Sequence, residues 1–414
     1  MKLNKLLMVA LAGMTMFSCS NNDEMDNGLS NEKKAVVLRL DGVSTPKSRS
    51  VIDAITTDNT AMTLSSVKIF FCSNTTIYKE VSASSDATAN SDEAKLWTDL
   101  TNSGTNKLNI FEVDAAVNQV IVVGNPETDK YNSLTTVAAL QEVALSLKKE
   151  NTAVTGPADQ TTKNNVTLYG TGPLVAVDGQ TDYTHTATVE ITPLISRIEV
   201  NGFSCTFNEN DATLSHRFNK IIIKGIGMVD YYNTMNIAGT VSDLKDRNTP
   251  SNEQGKIYKN ETESGATLVE GGYVFCDATR AADYTWSFDT KVSNEENAND
   301  LALEFTYTQD QTTPVTNETK FAYNFFVPAT SPAFPNIMVL TDVTDTESTP
   351  VEGKKYIMTT EWGSVTPQRG YIYTFTYNFN ENDLGDWDTK DLQKVLVTVT
   401  ATPWKVVPVT PDIN

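Results

Sequence analysis

Apolar and polar residues alternate along much of this chain in short runs, separated by clusters of Gly, Asn, Asp and Pro. A period of two is what a strand needs when one of its faces meets a core and the other meets water. The clearest run spans residues 35–41, with Val36, Leu38 and Leu40 on one face and Val37, Arg39 and Asp41 on the other. Runs at 63–71, 119–123, 187–191, 197–201, 220–224, 303–307, 320–327 and 371–378 have the same character and are rich in Val, Ile, Thr and aromatics. Their spacing predicts a mostly β chain built as antiparallel sandwiches. One segment has a helical period instead. Val137, Leu140, Val143, Ala144 and Leu147 recur at three and four residues, and Lys148 and Lys149 follow where a helix C-terminus favours cations. This predicts one helix covering a sheet of the first domain. The low-complexity stretches 82–92, 151–165 and 293–300 are too polar to order themselves on a core and are expected to be surface loops. A fresh apolar run from Leu194 to Val200, just after Pro193, places a domain boundary near residue 190, dividing 50–190 from 191–414.

The two ends carry the strongest signals. Lys2 and Lys5 precede an apolar run over 6–17, and Ser18 precedes Cys19. About a dozen apolar residues are too few for a bilayer that needs roughly twenty, so 1–19 is expected to be a signal peptide, with Cys19 as the acylated residue of a lipoprotein. The polar, acidic residues 20–24 would be a disordered tether. Beyond the 35–41 strand, Gly42, Pro46 and several serines predict an exposed segment in which Arg49 is the natural trypsin-like target, the cut falling before Ser50. Residues 20–49 would then be tether and removable strand. At the other end Val395, Val397, Val399 and Ala401 share one face of the run 394–402, which at about 3.3 Å per residue would span roughly 30 Å. Such a segment invites aggregation unless something pairs with it. Together the ends suggest one mechanism. Cleavage after Arg49 empties the place of Val36, Leu38 and Leu40, and the 394–409 region of a neighbour adds itself there as a strand. Donor and acceptor are different surfaces, so the contact propagates into a filament rather than closing.

Charge and chemistry narrow the reading further. The net charge of −20 is spread along the chain, which argues against nucleic acid and anionic membrane surfaces as partners. Beyond Cys19 only Cys72, Cys205 and Cys276 remain, with no CxxC spacing, so neither zinc nor a full disulfide framework is indicated; one pair could close, but buried thiols are favoured. Two histidines and the lack of GxSxG, P-loop, HExxH or Rossmann patterns point away from an enzyme and from a cofactor. The acidic run 378–391 offers oxygen ligands for calcium but lacks EF-hand spacing, and is expected to be a solvated loop. Trp97, Trp286, Trp362, Trp387, Trp404 and the pair Tyr231-Tyr232 could stack on sugars, although in a sandwich most tryptophans serve the core.

Several of these features, taken in order, resemble the fimbrillin family of Bacteroides and Porphyromonas, the subunits of type V pili, over essentially the whole chain. They are the signal ending at Cys19, the strand and arginine of 36–50, Val67-Lys68-Ile69-Phe70-Phe71, Val120-Ile121-Val122-Val123-Gly124-Asn125, the run 194–200, and the ending Val397-Thr398-Val399-Thr400-Ala401-Thr402-Pro403-Trp404. The resemblance implies two tandem transthyretin-like antiparallel β-sandwich domains with one or two short helices. It also implies delivery to the cell surface and outer membrane through a lipid anchor, cleavage by an arginine-specific protease, and a homopolymer of identical or related subunits that supports adhesion. A chain with both cleavage site and donor strand would be a stalk subunit. A glycan-binding surface lipoprotein of a nutrient-uptake system would share the signal and the sandwiches, but it has no use for an arginine behind a removable strand. A third possibility is an adhesin that keeps its last strand folded on its own domain.

Overall fold

The computed structural model describes residues 33–41, 61–101, 107–150, 166–180, 183–207, 216–245, 273–275, 286–287, 303–308, 313–317, 321–345, 355–386 and 393–408. Cys19, Arg49, Ser50, Cys276 and Trp387 lie outside them, as do 151–165 and 293–300.

The first ten strands are β1 (Lys34–Asp41), β2 (Ala61–Leu64), β3 (Ser66–Cys72), β4 (Ile77–Ser84), β5 (Lys107–Val113), β6 (Gln119–Gly124), β7 (Ala144–Ser146), β8 (Leu168–Ala176), β9 (His185–Glu190) and β10 (Thr192–Pro193). Three helices lie among them: α1 (Asp92–Thr101), α2 (Val137–Gln141) and α3 (Leu147–Glu150). One sheet runs β4-β3-β6-β8-β9-β1-β5, with β10 beside β8. β8 turns this sheet, because Leu168 to Pro173 pair with β6 while Leu174 to Ala176 pair with β9. At the turn the backbone carbonyls of Glu190 and Thr188 sit where side chains on Gly170 and Gly172 would stand. Only glycine permits that approach. The sheet curls until its edges meet: Lys79 Nζ of β4 donates to Phe111 O of β5 at 2.5 Å, and α1 packs on both strands. Ser91 Oγ accepts from the Ala94 N–H at the start of α1, Asp92 and Glu93 fill its first turn, and Trp97, Leu100 and Thr101 are buried.

The remaining strands are β11 (Ile195–Thr206), β12 (Phe218–Val229), β13 (Tyr231–Asn236), β14 (Val241–Lys245), β15 (Tyr273–Phe275), β16 (Trp286–Ser287), β17 (Leu303–Thr306), β18 (Val315–Asn317), β19 (Phe321–Phe326), β20 (Asn336–Asp345), β21 (Lys355–Glu361), β22 (Tyr371–Asn380), β23 (Gly385–Asp386), β24 (Gln393–Leu396), β25 (Thr400–Pro403) and β26 (Lys405–Pro408). One sheet runs β18-β11-β22-β25 with β19 also on β11; another runs β15-β12-β20-β21-β23, with β16 and β17 on β12 and β24 on β21. The chain leaves the first sheet at Pro193 and enters the next at Ile195, yet strands from both sides of that point pair, β7 with β13 and β2 with β26.

The result is a mostly β protein of sandwich type with short helices, and several expectations need correction. Pairing is not antiparallel throughout: β1–β9, β11–β22, β21–β24 and β2–β26 are parallel. These partners are distant in sequence, so no hairpin fixes their direction. The expected helix over 137–147 is broken. Thr136 caps α2, which stops at Gln141, and Ala144–Ser146 leaves to pair with β13. Residues 82–92 are only partly loop, since β4 continues to Ser84 and α1 begins at Asp92. The run 63–71 is two strands separated at Ser65. The acidic run is not a solvated loop in its described part. It closes β22, forms a short turn over Glu381–Asp383, and buries Glu381, whose carboxylate accepts the N–H groups of Arg217 at 2.6 Å and Phe218 at 3.2 Å. Cys72 and Cys205 are buried free thiols, and burial pushes the Cys72 thiol up to about 12. Trp97 and Trp404 are buried, while Trp362 stacks on Phe334 at 4.4 Å.

Candidate functional site

Of the residues that the sequence singles out near the chain's start, Val36, Leu38 and Leu40 lie on β1, while Cys19, Arg49 and Ser50 lie outside the described residues. This strand is wedged between two others, parallel to β9 and antiparallel to β5. In register, Val36 lies opposite His185 on one side and Ile110 on the other; Leu38 lies opposite Ala187 and Leu108. Val36, Leu38 and Leu40 all point into the core, with Leu38 fully buried. Burial of three such side chains contributes roughly 5–9 kcal/mol before ordering entropy is set against it. Arg39 and Asp41 face solvent as their alternation requires, but Val37 does not: it is 3 % exposed, so the strand is covered on both faces at that point.

Polar contacts pin the start and end of β1. Thr184 donates its N–H to Ala35 O at 2.9 Å, Ile191 donates to Asp41 O at 3.2 Å, and Lys34 Nζ donates to Val117 O at 2.7 Å. The Lys33–Glu112 pair at 3.1 Å is exposed on both sides and adds little. Burial, and behind it the Lys34 ammonium, hold the His185 imidazole below its ordinary value. A further point is invisible in the sequence: among the described residues β5 has no ladder partner other than β1. Without β1, β5 would keep its contacts with α1 and Lys79 but lose its place in the sheet.

The end of the chain is laid against its own second half. β24 runs parallel to β21, with Glu361 opposite Leu396, and β25 runs antiparallel to β22, with Tyr371 opposite Pro403. These partners belong to different sheets, so residues 397–399 cross between them and leave the ladder. The expectation of one uninterrupted strand over 394–402 with a single apolar face is corrected accordingly. Val395 and Val397 are buried, Val399 is half-buried and Ala401 is exposed. β25 buries no side chain, and Leu396 is 66 % exposed. Trp404 is buried, but its indole N–H has no acceptor among the described residues. β26 then pairs with β2, which bounds the segment that contains Arg49.

Among the described residues no group of three or more His, Cys, Asp or Glu side chains is placed to hold a metal ion, and no helix is long and apolar enough to cross a membrane. The chemistry this arrangement offers is strand pairing: a slot with backbone donors and acceptors on both walls and apolar pockets beneath.

No family model matches the chain, and neither does any curated protein. Among solved structures it is similar to a candidate cell adhesion protein of Bacteroides eggerthii, at 16 % identity and a TM-score of 0.46, over 93 % of this chain and 100 % of that one. It is also similar to a fimbrilin of Porphyromonas gingivalis, at 11 % identity and a TM-score of 0.46, over 91 % and 99 % of the two chains. A fimbrial assembly protein of Parabacteroides distasonis is a third, at 14 % identity and a TM-score of 0.35, over 89 % and 98 %. At that level of agreement the likeness decides nothing about function.

Proposed function

We propose that this chain is a structural subunit of a cell-surface fimbria that assembles by strand exchange and supports adhesion. In this reading it is exported as a lipoprotein anchored in the outer membrane through Cys19. An arginine-specific protease cuts it between Arg49 and Ser50, and residues 20–49 leave with β1. The emptied slot accepts the Val395, Val397, Val399 and Ala401 face of a neighbouring subunit, as β-augmentation does elsewhere. A subunit with both slot and donor propagates a head-to-tail polymer, which suits a stalk.

The observation that carries the reading is the setting of β1. It lies between two strands whose ladders it completes, with Val36, Val37, Leu38 and Leu40 buried, and it is joined to the rest of the chain through the segment that holds Arg49. A strand seated this way, when removed, leaves the β9 edge unpaired and the pockets of Val36, Leu38 and Leu40 empty, with β5 held beside them by α1 and Lys79.

The test is to treat purified precursor, residues 20–414, with an arginine-specific protease, sequence the new N-terminus and run unheated samples on a denaturing gel. A terminus at Ser50 with a heat-labile ladder is expected, and Arg49→Ala should leave a folded chain that makes no ladder. Abundant ladder from the Arg49→Ala chain would move the cut elsewhere, and a cleaved chain that stays monomeric would sink the assembly reading.

A further inference from the structure

The slot vacated by β1 makes unequal demands on its six central positions. Positions 36, 38 and 40 enter the core, position 37 is buried on the opposite face, and positions 39 and 41 are exposed. A replacement therefore needs the pattern apolar, apolar, apolar, polar, apolar, polar. Residues 395–400 read Val-Leu-Val-Thr-Val-Thr and meet it at every position. The other apolar stretch near the end does not. Placing 406–411 or its shifted registers in the slot brings Pro408 or Pro411 into the ladder, where proline has no N–H to donate on a strand flanked on both sides.

Resting on the assembly reading above, we propose that the donor enters in one defined register, with Val395 to Thr400 of a second copy replacing Val36 to Asp41 parallel to β9, and that Leu396 is the residue that selects this register by filling the place of Val37. Leu396 lies outside the alternating face that first suggests the donor, and in its own subunit it is among the most exposed large apolar side chains of the described residues, at 66 %. In the slot it would be covered as Val37 is, at 3 %. The exchange also deepens Val399, half-buried in its own subunit, by giving it the position of Leu40. The donor thus trades a seat with two buried side chains, Val395 and Val397, for one with four. A register shifted by two would instead set Thr398 at position 37 or, in the other direction, Lys394 there, putting a hydroxyl or an ammonium where Val37 is covered.

Two chains test this, both spanning 20–414 with Cys276→Ser; Cys72 and Cys205 are buried. One carries Lys107→Cys, the β5 residue opposite Arg39, and the other carries Thr398→Cys, which takes the place of Arg39. After cleavage and mixing, oxidation or a short bis-thiol linker should join 107 of one chain to 398 of the other. Thr400→Cys, the probe for a shift of two, should not join. In parallel, Leu396→Ser should leave the precursor's melting unchanged and speed dissociation of the polymer by on the order of tenfold or more. A polymer that joins 107 to 400, or that dissociates normally with Leu396→Ser, overturns the register while the strand-exchange reading stands. Cleaved chains that form no polymer overturn both.

Discussion

β1 and β11 hold the same kind of place in their sheets. Each is antiparallel to strands on one side, β5 for β1 and β18 with β19 for β11, and each is parallel to a late strand on the other, β9 and β22. Their outward faces differ. β1 presents Arg39 and Asp41 to water, whereas β11 is buried from Ile195 to Val200, with Arg197 and Glu199 among the buried residues. Arg197 Nε donates to Glu199 at 2.7 Å and Nη1 to Asn324 at 3.2 Å, and Asn324 donates in turn to Glu150 O at 2.7 Å. The Glu150 carboxylate accepts from Thr167 N and Oγ1, at 2.8 and 2.6 Å. That chain of contacts ties the second half of the molecule to α3 and to the start of β8. Pulling β11 out would carry a buried ion pair into water and break its hydrogen bond to Asn324, while pulling β1 out breaks apolar packing and backbone ladders. One topological position is thereby held through buried polar contacts in one half and through apolar packing in the other.

Arg197→Ala should break this comparison most strongly. Burial pulls the Arg197 pKa down and Glu199 opposes it. Removing one member of a buried pair costs about 3–5 kcal/mol. Urea unfolding should show that loss for Arg197→Ala, while Arg39→Ala on the exposed face of β1 should stay within about 0.5 kcal/mol. Equal effects would mean that the two strands are held alike. Leu38→Ala comes next. Leu38 is fully buried, so the change should cost the precursor about 2–5 kcal/mol. After cleavage it should also let the 20–49 peptide dissociate more than tenfold faster than from the parent, a step that surface plasmon resonance or size exclusion can time. An unchanged release rate would mean that cleavage alone does not leave β1 held by its pockets.

Much of this was legible because its cause is local. Val36, Leu38 and Leu40 follow a period of two, and α1 carries an equally local signal in Ser91 followed by Asp92, Glu93, Leu96, Trp97 and Leu100 at helical spacing. What was missed depends on partners far along the chain. Val143, Ala144 and Leu147 fit a helix, yet Ala144–Ser146 is claimed by β13, roughly ninety residues on, and a tertiary ladder overrides a weak propensity. Glu381 looks like any acid of an acidic run until two N–H groups at the start of β12 are brought to it. Val37 and Leu396 form a matched case. Alternation assigns both to water, and only the structure shows one covered and the other bare.

The smallest effect expected is also a direct readout of slot occupancy. His185 stands opposite Val36 on β9, and its pKa lies below the ordinary 6.5 because of burial first and Lys34 second. Lys34 leaves with β1, and so does the strand opposite His185, so on release the imidazole should move back up toward its ordinary value. The sign for binding follows. The released state takes up a proton at higher pH than the bound state does, so β1 is held fully above about pH 6.5 and less firmly as pH falls from there toward the lower bound value. The imidazole is largely solvated, so the change in affinity should be slight, but the chain has only two histidines and the titration is easy to read by NMR. His185 should titrate higher after cleavage and removal of the peptide. If His185 does not move, either the vacated slot has been refilled by another strand or β9 does not keep its exposed wall, and a repeat with the Lys107→Cys and Thr398→Cys pair would separate the two.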